Sequence, residues 1–169
     1  MITVDYARTM ARYNRWINDS IYGLAARLSD AERKRDLGAF FKSLHGTLNH
    51  ILVGDRVWMG RFLGQPVSFP SLAHEICSDF GELGHERAKT DDAIDAFAAA
   101  LTPARLAEPL VYRTVLNPRN VAFPLGFALT HFFNHQTHHR GQATTLLMQL
   151  GIDPGLTDLI ALPGFERPA

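Results

Sequence analysis

Four segments of this chain carry apolar residues at the spacing of an α-helix, and that pattern limits the fold more than any other feature. In the first, from about Thr3 to Leu28, Tyr6, Met10, Tyr13, Ile17, Ile21, Leu24 and Leu28 recur every three or four residues, which describes one face of a helix. Asp5 in its first turn suits the helix dipole. Ser29-Asp30-Ala31-Glu32 reads as a cap and a short helical turn, and Gly38 breaks the pattern. A second helix is expected from Phe41 to Leu63, stopped by Gly64-Gln65-Pro66. A third is expected from Leu72 to Leu101, with Ile76, Phe80, Leu83, Ile94, Phe97 and Leu101 inward. A fourth starts at Pro124, runs to Leu150 and ends at Gly151. Before it, Leu110–Val115 is rich in strand formers and Asn117-Pro118-Arg119-Asn120 reads as a turn. The chain beyond Gly151, with Pro154, Pro163 and Pro168, reads as an extended surface tail. The expected fold is all-α: a four-helix bundle with a small hairpin or extended crossover before the last helix.

A chain of 169 residues fits one domain, spanning residues 1–169. Seventeen Lys and Arg cancel seventeen Asp and Glu, so the basic excess that nucleic acid or a membrane surface would attract is missing. No apolar run reaches the roughly 18 residues of a spanning helix. The opening MITVDYARTMARYNRW has no apolar core of a signal peptide, and the lone Cys77 fits a reducing compartment. A cytoplasmic location is the expectation.

Histidine is the outlier, with eight in all and four between His131 and His139. On the wheel of the fourth helix, Leu125, Ala128, Phe132, Ala143, Leu146 and Leu150 fall within an arc of roughly 60°. His139 lies inside that arc and His135 about 20° outside it. One turn separates the two, so both can reach a common ion; His131 and His135 share that spacing, which leaves the choice open. A lone core histidine is more simply a packed, hydrogen-bonded one, but two on one stripe each need a partner. A third ligand must come from another helix. On the second helix Lys42, Asn49, Arg56 and Gly60 form a polar strip expected to face water, and His45 lies near it. His50 sits about 100° away, with Thr47 and Gly54 leaving room around its ring, and is the better candidate.

The segment Thr47-Leu48-Asn49-His50-Ile51-Leu52-Val53-Gly54-Asp55-Arg56-Val57-Trp58 resembles the second-helix signature of the DinB/YfiT-like family. Phe133-Asn134-His135-Gln136-Thr137-His138-His139-Arg140-Gly141-Gln142 resembles its fourth-helix signature, and Met10-Ala11-Arg12-Tyr13-Asn14-Arg15-Trp16 its opening. The likeness covers nearly the whole chain in order and spacing. It implies a four-helix bundle with a divalent metal on three histidines, here His50, His135 and His139. Relatives in the wider superfamily include thiol-dependent transferases and an isomerase. The resemblance therefore implies a metal-dependent enzyme of the thiol S-transferase type, with a low-molecular-weight thiol as cosubstrate and a small molecule as substrate.

Other metal chemistries fit the residues less well. A zincin needs His-Glu-x-x-His, and Gln136 stands in the Glu position. A di-iron carboxylate site needs two Glu-x-x-His motifs, and only Glu82-Leu83-Gly84-His85 has that spacing. A closed structural zinc site is usually rich in cysteine. Imidazole ligands suit Zn, Ni or Fe. Hydrolysis is a further reading of the chemistry. From another class, a metal-occupied protein that binds or senses a small molecule without turnover is the alternative. Asp55, inside the apolar arc of its helix, is expected to pair with an arginine, or else to support a ligand histidine or act as a base. Tyr13 is expected in the core with its hydroxyl near the site. Arg61 is expected in a surface ion pair rather than on a substrate anion. Arg140 lies on the outward flank of its helix, and Phe133, read as exposed, suggests a homodimer.

Overall fold

A computed structural model of the chain describes residues 2–114 and 118–166. Four long helices form the bundle: α1 (Val4–Ala25), α3 (Leu44–Phe62), α4 (Phe80–Ala100) and α6 (Leu125–Gln149). Two short helices, α2 (Asp30–Lys34) and α5 (Pro103–Ala107), lie in the connections. Strands β1 (Pro109–Arg113) and β2 (Asn120–Pro124) pair antiparallel, Leu110 opposite Phe123 and Tyr112 opposite Val121. The crossover before the last helix is thus a hairpin; Val115 of the expected strand, Asn117 of the expected turn and Pro168 of the tail lie outside the described residues.

Each long helix packs chiefly on two others, in the ring order α1–α4–α3–α6. Consecutive long helices α1 and α3 are therefore diagonal, as are α4 and α6. The connections through α2 and through the hairpin cross the bundle ends. The helices start where side-chain caps satisfy free amides: Thr3 accepts from the Tyr6 amide, Ser43 from Gly46 and Asp79 from Glu82. Ser29 and Glu32 complete a capping box on α2. α6 ends at Gly151, whose φ of 78° lets Ile152 turn back to the Leu147 carbonyl. The tail returns along α1, held by the Tyr13 hydroxyl on the Thr157 carbonyl at 2.6 Å, with Leu162 buried.

The third long helix begins at Phe80, not at Leu72. The reason lies on α3. The Asn49 carboxamide oxygen accepts from the Ile76 and Cys77 amides at 2.8 and 3.1 Å, and its nitrogen donates to the Cys77 carbonyl. His45 Nε2 donates to the same carbonyl at 2.9 Å. Backbone groups that a helical turn would use are bound to side chains instead. Lys42, ahead of α3, is exposed as expected, but the part of the polar strip that lies on α3 does not face water. Asn49 is buried under residues 76–77, Arg56 pairs with Glu86 on α4, and Gly60 lies beneath Gln65 and Val67. A helix wheel shows polarity, but neighbouring segments decide what covers it.

Two further sequence expectations are corrected. Phe133 is only 2% exposed, in the face of α6 that meets α1, not exposed as expected. Arg140 points inward and is 3% exposed, hydrogen-bonded to Asn14 and over the Tyr13 ring. It belongs to a buried polar network that ties all four long helices. Arg87 on α4 donates to Asp55 on α3 at 2.6 Å and pairs with Asp91 at 2.9 Å. Asp91 accepts from Asn14 and Asn18 on α1, and Asp55 accepts from Gln136 on α6 at 3.0 Å. Burial alone would lower the Arg87 pKa, but Asp55 and Asp91 outweigh it and raise it. Burial pushes Arg140 down to about 10.

Candidate metal centre

α3 and α6 pack side by side and bring three imidazoles together. His50, His135 and His139 each offer a ring nitrogen, and these atoms all lie within 4.8 Å of one another. Ring centroids are 4.3 Å apart for His50 and His139, 4.4 Å for His135 and His139, and 5.2 Å for His50 and His135. Of the two pairings with one-turn spacing, the structure selects His135 with His139. His131 turns instead to the Trp58 ring, 5.0 Å away. His138 is exposed, and His45 is committed to Cys77.

Hydrogen bonds fix the tautomers of two of the rings. His50 Nδ1 lies 2.7 Å from the Leu72 carbonyl, which can only accept, so Nδ1 carries the proton. His139 Nδ1 donates to Gln142 Oε1 at 2.8 Å. Both Nε2 atoms are then unprotonated, and they face each other at 3.0 Å. Two lone pairs at that distance repel unless a cation lies between them. A proton is a poor candidate. Burial, opposed in part by the Leu72 bond, holds His50 down at about 4, and burial with the neighbouring rings holds His135 at about 3. Burial also lowers His139. His135 adds a buried Nδ1 with no hydrogen-bond partner among the described residues.

The set fits a divalent transition metal. Nitrogens bonded to zinc at about 2.0–2.1 Å in a tetrahedron lie roughly 3.4 Å apart, close to the 3.0 Å between the His50 and His139 Nε2 atoms and inside the 4.8 Å that bounds all three. Ligand histidines usually donate their second ring N–H to a carbonyl or side chain that fixes the ring, as Leu72 and Gln142 do here.

The surroundings shape access. The Phe41 ring stacks on His50 at 3.8 Å and meets His139 edge-on at 5.6 Å. The turn that presents Phe41 holds Lys42 at φ 66°, an uncommon backbone state for a residue with a side chain. On the other side a cleft of about 380 Å³ opens, lined by His50, Gly54, Trp58, Tyr112, His131 and His135, among others. Gly54 makes space for the His135 ring.

Asp55 and Tyr13 are not brought to the three rings. Asp55 is held by Arg87 and Gln136, the arginine pair expected of it. The Tyr13 hydroxyl is bound to Thr157 in a separate cleft between α1, α6 and the tail. Arg61 has no ion pair among the described residues; it stacks on aromatic rings in the cleft. The roles of Phe41 and the Leu72 carbonyl were not visible in the sequence. A backbone carbonyl leaves no residue signal, and Phe41 acts through an irregular turn. Gln142 was recoverable, three residues beyond His139 on the same helix.

Known proteins share this architecture. The model of the DinB family matches residues 1–167. The chain belongs to the DinB family. Among DinB-family relatives, Protein DinB of Bacillus subtilis is 25% identical over 165 residues, covering 91% of each chain. The crystal structure of a DinB-like protein from Bacillus cereus superposes with a TM-score of 0.60 at 19% identity, covering 90% of this chain and 92% of that one. That likeness carries the fold. Among the described residues of this DinB-family chain, no helix is long and apolar enough to cross a membrane.

Proposed function

We propose that this chain holds one divalent transition metal, zinc, nickel or iron, on His50, His135 and His139 and acts as a thiol-dependent transferase on a small molecule. The observation that carries the metal reading is the facing pair of unprotonated Nε2 atoms, 3.0 Å apart, with both Nδ1 protons already donated elsewhere. When bound, such an ion activates a thiol or water at neutral pH by lowering its pKa. Three neutral imidazoles leave the ion's positive charge uncompensated, which favours an anionic fourth ligand such as a thiolate.

The chain's own residues do the positioning. Leu72 and Gln142 fix the His50 and His139 rings, and Phe41 covers one side of the centre. The cleft beyond His135 admits a small molecule. The carboxylates argue against hydrolysis assisted by a carboxylate base, and the uncompensated charge favours a thiolate as the fourth ligand. Asp55 is tied to Arg87 and Gln136, and no carboxylate among the described residues joins the histidine cluster to serve as base for water.

The test is elemental analysis of tag-free protein, with His50→Ala, His135→Ala and His139→Ala alongside. About one equivalent of a first-row metal, lost in each variant while the helical signal persists, is expected. No metal, and none taken up on titration, overturns the reading. Metal without any thiol-dependent turnover of electrophiles would instead leave a binding or sensing protein.

A further inference from the structure

Among the described residues, Arg61 is a cation without a counter-charge. Its guanidinium lies over Trp58 at 4.5 Å and over Tyr112 at 4.2 Å. Among the described residues no carboxylate pairs with it, and no hydrogen-bond acceptor takes its N–H groups. Burial opposes its charge and lowers its pKa, with only Tyr112 acting the other way. Two aromatic faces offset part of the desolvation. They leave the planar fork of donors unused, and that fork matches a carboxylate in two parallel hydrogen bonds.

The same cleft has His50 and His135 at one end and Arg61 at the other. Between them stand Val57, Trp58 and His131, a mostly apolar wall. The continuity is direct: the Trp58 ring is 5.0 Å from His131, and His131 is 6.0 Å from His135. Gly54, against which His135 rests, is seven residues before Arg61 on α3, about 10 Å along the helix axis. A ligand that touches both ends must be elongated. A single guanidinium balances one negative charge, which suits a carboxylate better than a phosphate monoester carrying about two.

We propose that this cleft takes an elongated organic monoanion, its carboxylate on Arg61 and its opposite end at the three histidines. The histidine end rests on the metal reading above; the Arg61 end does not. Arg61 is then the residue that selects among small-molecule ligands by charge and length.

Calorimetric titration tests this with octanoate, mercaptooctanoate, mercaptopropionate and the uncharged mercaptooctanol, on metal-free and zinc-loaded protein. Metal-free wild type is expected to bind octanoate, and Arg61→Gln to weaken that binding about tenfold or more. Arg61→Lys, which keeps the charge, recovers part of the affinity. On zinc-loaded protein mercaptooctanoate binds more tightly than octanoate or mercaptopropionate, and mercaptooctanol binds wild type and Arg61→Gln alike. That last result separates an anion contact from a structural role of the Arg61 stack. Equal octanoate affinity in wild type and Arg61→Gln, or no octanoate binding, overturns the Arg61 site whatever the metal content. Octanoate binding that depends on Arg61 in a protein that takes up no zinc overturns the histidine end and the metal reading, and leaves the anion site standing.

Discussion

The ring of His135 lies directly over the backbone of Gly54. A Cβ at position 54 would come within 2.8 Å of the ring's Cε1 and 3.3 Å of its Nδ1. Glycine here does not serve a turn; α3 runs through it in regular helix. Its function is to let an imidazole from α6 approach, one turn along from His50.

Gly54→Ala separates helix stability from site geometry. Alanine favours a helix interior by about 1 kcal/mol over glycine, while the new methyl displaces His135. The variant is expected to stay helical and to lose metal affinity by about tenfold or more, measured by competition with a chromophoric chelator. Unchanged affinity would mean that His135 is not a ligand.

Gln142 is expected to matter through His139. Without its carbonyl oxygen, the acceptor for His139 Nδ1 is gone and the ring loses both its fixed tautomer and its orientation. Gln142→Ala should lower metal affinity about 10–100-fold with little change in unfolding midpoint. A drop in stability with full metal affinity would reverse that assignment.

Asp55 governs stability rather than chemistry. Asp55→Ala leaves Arg87 facing Asp91 alone and leaves the Gln136 carboxamide without its acceptor. Removing one partner of a buried ion pair is expected to destabilise by about 3–5 kcal/mol, read from urea unfolding. A variant near wild-type stability would show that the network is dispensable.

Acid should destabilise the metal-free protein partly through His45. Burial holds its pKa below the ordinary value, with the Cys77 carbonyl and Glu75 opposing. Nε2–H donates to Cys77 and the buried Nδ1 has no partner among the described residues, so a second proton meets no acceptor there. The unfolded chain takes up that proton near pH 6.5 and the folded chain only at lower pH. The contribution to stability is thus complete above about 6.5 and declines as the pH falls below it. The buried rings of the metal centre act in the same direction. His45→Gln should therefore show a shallower loss of urea midpoint between about pH 7 and 5 than wild type. Equal slopes would show that His45 titrates normally.

Helical spacing of apolar residues made the four long helices legible, because each helix must bury a stripe whatever its partners. Gly151 and the short cap at Ser29 were legible for a similar reason: their backbone needs are local. The pairing of His135 with His139 was legible only as one of two choices with equal spacing, and His50 as the better of two candidates on its helix. Packing of α3 against α6 made those choices, since the wheel of one helix does not say which turn its neighbour occupies. The same limit hid the inward turn of Arg140 and the burial of Phe133, both on flanks that α1 covers. It also hid the irregular segment before Phe80, where His45, Asn49 and His50 bind backbone groups from 22 to 32 residues away. The sequence determined which faces are apolar and which side chains can ligate. Tertiary structure decided which polar groups meet, because a buried donor or acceptor is satisfied by whatever segment packs over it, at whatever distance along the chain.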